Sequence, residues 1–412
     1  MSKKTGIALI SLWGVIFLVL MMQVELAAYE DKPISAAVVE GNTAFALDLY
    51  RELKDTKGNL FFSPYSISTA LAMTFAGARE NTAKQMADVL HFPSGQNDVH
   101  PAFGQLETLL NEVQTKGDIQ LNVANSLWPQ EGYPFLAEYL ALVKEYYGVV
   151  ITPVDYRKAA EKAREIINQW VEEKTKDKIK NLIQPGVLDA VTRLVLVNAI
   201  YFKGNWASQF DEKRTKEDTF YLLSGKTVQT PLMAQEKEFA YRDEEFLQVL
   251  ELPYVGESLS MIVLLPKEKD GLPQLEKQLT AANLRMWTSS PRKRKVKVFL
   301  PRFKMTSQFS LSKTLAAMGM RDAFNPDKAD FSGMDGRPNW LYIGAVLHKA
   351  FVDVNEEGTE AAAATAVVMK IRMVLDQPTF RADHPFIFLI RENTTGSILF
   401  LGRVMDPSQK GE

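Results

Sequence analysis

The residues of this 412-residue chain that could do chemistry fall short of any enzyme's constellation. Four histidines, His91, His100, His348 and His384, stand far apart. No pair has the HExxH spacing that sets two imidazoles around zinc on one helix face. The chain has no cysteine, which removes disulfides, thiol nucleophiles and thiolate metal sites together. A GxSxG elbow and a GxGxxG turn are both missing, and Gly225-Lys226-Thr227 lacks the upstream glycine of a phosphate loop. No pair of carboxylates stands out among 50 acidic residues. No catalytic group, metal site or cofactor is expected.

One segment is written unlike an ordinary element: Glu356-Glu357-Gly358-Thr359-Glu360, then Ala361 to Ala364, Thr365, Ala366-Val367-Val368, and Met369-Lys370-Ile371-Arg372-Met373. Its composition favours a helix, but contiguous alanines leave no apolar stripe, and a short helix without packing is marginal in water. As a strand, Thr359, Ala361, Ala363, Thr365 and Val367 share one face. Both faces are small enough to slip between existing strands.

The elements around it form a mixed helical and sheet domain. Ala46, Leu49, Tyr50 and Leu53 make one helical face; Ala163, Ile166, Ile167, Trp170 and Val171 make another. Ser63 followed by Pro64 starts a helix, and Thr82 with Gln85 fits a capping box for the next. Leu194 to Phe202 is almost continuously apolar, as in a strand buried on both faces. Strands also fit 250–254, 259–266, 296–303, 345–354, 386–390 and 397–404. No linker or repeat divides the chain, so residues 35–407 read as one domain.

Several motifs, in order, resemble the serpin family over nearly the whole chain. They are Asn59-Leu60-Phe61-Phe62-Ser63-Pro64-Tyr65-Ser66-Ile67-Ser68, Leu196 to Trp206, His348-Lys349-Ala350 with Val352 and Val354, Asp383-His384-Pro385-Phe386, and Phe400 to Val404. The resemblance implies an α+β serpin fold of three β-sheets and about eight or nine helices, with an exposed reactive-centre loop over 356–380. It further implies suicide inhibition. A serine protease attacks a carbonyl in the loop, and the freed hinge inserts into the main sheet as a new strand, trapping the acyl-enzyme.

Counted at the family's usual hinge length from Glu356, the scissile bond is Arg372-Met373, an arginine suited to trypsin-like proteases. Lys370 is the rival, with a shorter hinge. The loop also resembles those of family members directed at plasminogen activators and plasmin. Hinge positions Glu356, Gly358, Thr359, Ala361, Ala363 and Thr365 carry over. The inward-facing ones are small and uncharged, which favours an inhibitor over a non-inhibitory carrier, storage protein or chaperone. Ser63, Ser66, Asn198 and His348 match a polar cluster where the sheet must open, and otherwise read as core polar residues. Trp206 matches the aromatic where the strand first enters. Arg302 matches the partner of Glu356, a pair that otherwise reads as a surface contact worth at most about 1 kcal/mol.

A net charge of −2 gives no reason to expect nucleic acid. Arg292-Lys293-Arg294-Lys295 reads as a solvated loop leading into a strand. Lys116 is the single basic residue of 100–116 apart from histidine, so heparin activation is not supported. Residues 1–28 read as a cleaved signal peptide, with a retained N-terminal anchor as the alternative, and either puts the domain outside the cytosol. Asn393-Thr394-Thr395 reads as a turn between the last two strands. A monomer is expected, with polymerisation through loop insertion left open.

Overall fold

Helix starts and buried faces follow from a few local choices. In the computed structural model, which describes residues 36–93, 95–116, 119–289, 292–359 and 377–409, Ser63 is extended and its Oγ accepts a bond from Ser66 N at 3.1 Å. Pro64 fills the first turn, so the helix Pro64–Phe75 begins where these two residues place it. The next helix, Glu80–Leu90, starts earlier than a Thr82 cap requires. Thr82 lies buried inside it. Its Oγ1 accepts from Asp330 N (3.0 Å) and Gln85 Oε1 from Asp322 N (2.8 Å), so both polar groups tie down a distant loop instead of forming a capping box.

The described residues hold ten α-helices and two 3-10 turns in the expected α+β arrangement. The helix Ala36–Leu53 buries Ala46, Leu49, Tyr50 and Leu53 as its periodicity requires. The helix Tyr156–Lys174 buries Ala163, Ile167 and Val171, while Ile166 points outward and is 38 % exposed.

The strands join in two hydrogen-bonded networks. The six-stranded sheet runs in the order β10 (Phe303–Ser310), β11 (Leu347–Val354), β12 (Gly358–Thr359), β4 (Leu194–Asn205), β2 (Ile119–Pro129) and β3 (Val150–Ile151). The nine-stranded network runs β1 (Leu60–Phe62), β15 (Ile398–Val404), β14 (Phe386–Glu392), β8 (Leu259–Pro266), β7 (Leu247–Pro253), β6 (Thr227–Asp243), β9 (Arg292–Pro301) and β13 (Thr379–Arg381), with β5 (Lys216–Tyr221) on β6. The long β6 pairs first with β5 and later with β7, which links strand groups that would otherwise be separate. Arg292 to Lys295 belong to β9 from its first residue instead of to a loop, and Lys295 is paired with Glu236.

Val197 to Phe202 of β4 are buried, the physical reason for a run that is apolar except at Asn198. Ile200 and Phe202 join the main core between the two networks, where Phe202 meets Phe400 at 5.8 Å. Val197, Ala199 and Tyr201 join a second core beneath the helix Tyr156–Lys174. Each fully buried side chain of this size stabilises by roughly 1.5–3 kcal/mol. Asn393 sits in the final turn as expected: its amide donates to Glu257 O and Ser260 Oγ, both at 2.8 Å. The neighbouring buried Glu392 carboxylate accepts from Thr394 N, Thr395 N and Thr395 Oγ1.

Candidate functional site: the base of the hinge and the slot below it

At one end of the six-stranded sheet the chain after β11 turns back and enters between β11 and β4. Gly358 and Thr359 lie opposite Asn205 and Gly204 of β4, and Thr359 lies opposite Val354 of β11. Both pairings are antiparallel, while β11 and β4 run parallel to each other. Only glycine fits at 358, because a Cβ there would lie 2.0 Å from Gly204 O and 2.6 Å from Asn205 Cα. Thr359 is fully buried, and its Oγ1 shares a 3.0 Å hydrogen bond with the Tyr254 hydroxyl. Burial pushes the Tyr254 phenol up, so it stays a neutral hydrogen-bonding group.

Trp206 closes over this junction. Its ring stacks on Tyr254 at 4.7 Å, its Nε1 donates to Asn355 O at 2.9 Å and its N–H to Glu357 O at 2.8 Å. Trp206 is therefore more than core filling, because two of its donors hold the backbone of the hinge base.

Glu356 is 2 % exposed. Its carboxylate accepts from Arg302 Nε at 2.6 and 2.7 Å and from Thr215 Oγ1. Arg302 is 42 % exposed. The pair is one-sided, with the acid buried and the base near solvent, so loss of Arg302 would strand a carboxylate out of water.

Below the junction β11 and β4 are joined directly, but only at Lys349–Phe351 against Ala199–Tyr201. One residue further on, the four predicted polar residues come together. Ser63 N donates to His348 Nε2 at 3.0 Å, and Ser63 Oγ donates to Leu399 O at 2.6 Å. Ser66 Oγ donates to Asn198 Oδ1, and Asn198 Nδ2 donates to Asn125 Oδ1 at 2.7 Å. Because Nε2 accepts, the imidazole is neutral with its proton on Nδ1, which has no partner among the described residues. Burial lowers its pKa to about 3. The cluster adds side-chain hydrogen bonds that tie β4, β11 and the helix Pro64–Phe75 together.

Three members of this site were not legible in the sequence. Asn125 lies opposite Asn198 in the β2–β4 register, and Tyr254 and Thr215 meet the hinge from elements remote in sequence; none carries a local signal. Ala361, Ala363, Thr365, Arg372 and Met373 lie outside the described residues, as do residues 1–28.

Comparison with known proteins agrees with this geometry. The family model described as serpin (serine protease inhibitor) matches residues 40–407. The chain is 46 % identical over 376 residues to the leukocyte elastase inhibitor of Equus caballus, covering 89 % of this chain and 98 % of that one. It is 44 % identical over 377 residues to serpin B6 of Macaca fascicularis, covering 90 % and 99 %. Among solved structures, uncleaved ovalbumin matches with a TM-score of 0.80 at 35 % identity, covering 90 % of this chain and all of that one.

The relatives overturn one expectation. The secreted, extracellular location read from residues 1–28 does not stand, because leukocyte elastase inhibitor and serpin B6 point to the cytoplasm instead. Among the described residues no helix is long and apolar enough to cross a membrane. On these matches the chain belongs to the serpin family and is a serine protease inhibitor, not an enzyme, one that forms a covalent complex with the protease it traps.

Proposed function

We propose that this inhibitor is directed at trypsin-like proteases, that the attacked bond is Arg372-Met373, and that residues 35–407 act as one domain with 356–380 as its reactive loop. The observation that carries the trapping half is β12, the first two residues of the hinge strand, already seated between β4 and β11. Carrying the same register onward would set Ala361 opposite Phe202 and Val352, Ala363 opposite Ile200 and Ala350, and Thr365 opposite Asn198 and His348. All of these partners lie on the inner face, where small uncharged residues fit and a charge would not. About a dozen new ladder bonds at about 1 kcal/mol net each, comparable with a domain's whole stability of roughly 5–15 kcal/mol, would outweigh the three β4–β11 residue pairs that must part. In this reading Ser63, Ser66, Asn198 and His348 hold the closed slot, and Trp206, Arg302 and Glu356 fix where insertion starts.

The arginine supports the trypsin-like assignment, since a guanidinium pairs with a specificity-pocket carboxylate. A second reading has one specific support: relatives at 44–46 % identity include proteins named leukocyte elastase inhibitor, and Ile371, just before Arg372, would suit an apolar pocket. Mixing the protein separately with trypsin and with leukocyte elastase, followed by a denaturing gel and mass measurement of the released fragment, separates them. A denaturant-stable trypsin complex with a fragment beginning at Met373 is expected. A complex with elastase alone, its fragment beginning at Arg372, would overturn the specificity. Cleavage by both without a complex would favour the carrier, storage or chaperone reading.

A further inference from the structure

At the far end of the slot the strands do not close at all. Because β11 meets β4 only at Lys349–Phe351, residues Leu194 to Val197 of β4 have no strand on that side among the described residues, and the chain over 341–346 faces them without strand structure. Between them lies a cavity of about 290 Å³. Phe331 and Met334 of the main core line it on one side, and Leu182 and Ile183 of the second core on the other.

Four of the seven exposed large hydrophobic side chains of the described residues, Val187, Val191, Trp340 and Tyr342, line this one cavity. Scattered exposed apolar residues need no explanation, but a cluster at the mouth of a cavity marks a binding place. The polar lining is sparse and mostly committed. Asp189 Oδ1 accepts from Val191 N, Thr192 N and Thr192 Oγ1 at 2.9–3.0 Å, all within its own turn. Arg193, half-buried, spends Nη1 on Ala190 O and Thr192 O, both at 2.9 Å. Its Nε and Nη2 donors have no partner among the described residues.

We propose that this cavity binds a small amphipathic carboxylate, its apolar body of roughly ten carbons inside, on the scale of small-molecule pockets, and its head group on the free donors of Arg193. One consequence, unlike the binding itself, rests on the insertion proposed above. The hinge register carried to this end would lay residues 366–369 between Leu194–Val197 and the chain over 344–347, so a bound ligand would obstruct the last stretch of the new strand. The ligand would then turn the inhibitor into a substrate.

The test uses the full chain and decanoate, with decyltrimethylammonium as the charge-reversed probe and tryptophan fluorescence as the readout. Decanoate is expected to give a saturable change that Trp340→Phe removes, that needs about tenfold more ligand in Arg193→Gln, and that the ammonium probe does not reproduce. Gly344→Phe, at a lining position where an added Cβ meets no atom within 4 Å, should fill the cavity and abolish binding. The proposal is overturned by no saturable change, by equal binding of the two probes, or by undiminished binding in both Arg193→Gln and Gly344→Phe. In the second arm, decanoate at saturation should raise the proportion of protein that trypsin cleaves without forming a complex. Binding without that rise would keep the site and refute its consequence for insertion.

Discussion

Thr359→Arg tests the hinge where the structure is most explicit. The threonine is fully buried, opposite Gly204 and Val354, with its hydroxyl bonded to Tyr254. An arginine cannot stay there. It would lose that bond, leave the buried phenol without its partner at about 1–3 kcal/mol, and bring an unpaired charge out of water at several kcal/mol more. β12 is only two residues long and is worth less than this, so the segment is expelled while the rest of the fold stands. Insertion must then carry the arginine back in, raising its barrier by about 3 kcal/mol after relaxation. Each 1.36 kcal/mol is tenfold in rate, so insertion slows about 100-fold against unchanged hydrolysis of the acyl-enzyme. Titration of trypsin with the variant should need many inhibitor molecules per protease, with cleaved inhibitor in place of complex on a denaturing gel. Thr359→Ser, which keeps the hydroxyl, should trap as the parent does. An unchanged stoichiometry in Thr359→Arg would mean that trapping does not require residue 359 to enter the sheet.

Three further outcomes follow from the same geometry. Arg302→Met strands the buried Glu356 carboxylate and should lower stability in urea by about 1–2 kcal/mol, discounted because Arg302 is partly solvated, and adding Glu356→Gln should recover most of the loss. His348 is held neutral, with its pKa lowered to about 3; the unfolded chain takes up a proton near pH 6.5, so stability is full above that pH and is lost as pH falls toward 3. Between pH 6.5 and 5 His348 should account for about 2 kcal/mol, read as the difference in urea-unfolding pH dependence between the parent and His348→Gln, since His100, lowered to about 4, contributes with the same sign to both. Gly358→Ala places a Cβ against Gly204 O and should release β12, seen as faster hydrogen exchange at the Trp206 N–H, which donates to Glu357 O.

What the sequence made legible is what a residue's neighbours in the chain determine. β4 was readable because burial leaves a run that is apolar except at Asn198. Ser63 and Pro64 were readable because a cap and a first-turn proline act within one turn. Contacts set by tertiary register were hidden. The Thr82–Gln85 spacing suits a capping box, yet both side chains serve the 322–330 segment, and Ile166 fits a helical stripe yet faces solvent. Arg292 to Lys295 look like a loop because charge dominates their composition, but pairing with β6 makes them strand. Glu356 and Arg302 were expected as a pair, while the burial of the acid, which gives the pair its weight, depends on Thr215 and the surrounding strands. Tyr254 and Asn125 entered the site only once β12 and β2 had positions.

Whether the hinge continues the strand that β12 begins is decided by a crystal structure of the protein cut by trypsin. Residues 359–369 are expected to be hydrogen-bonded between β4 and the chain over 344–354, with Thr365 level with Asn198 and His348 and the Lys349–Phe351 contacts to Ala199–Tyr201 broken. A cut protein in which β11 still pairs with β4 at those residues would contradict it.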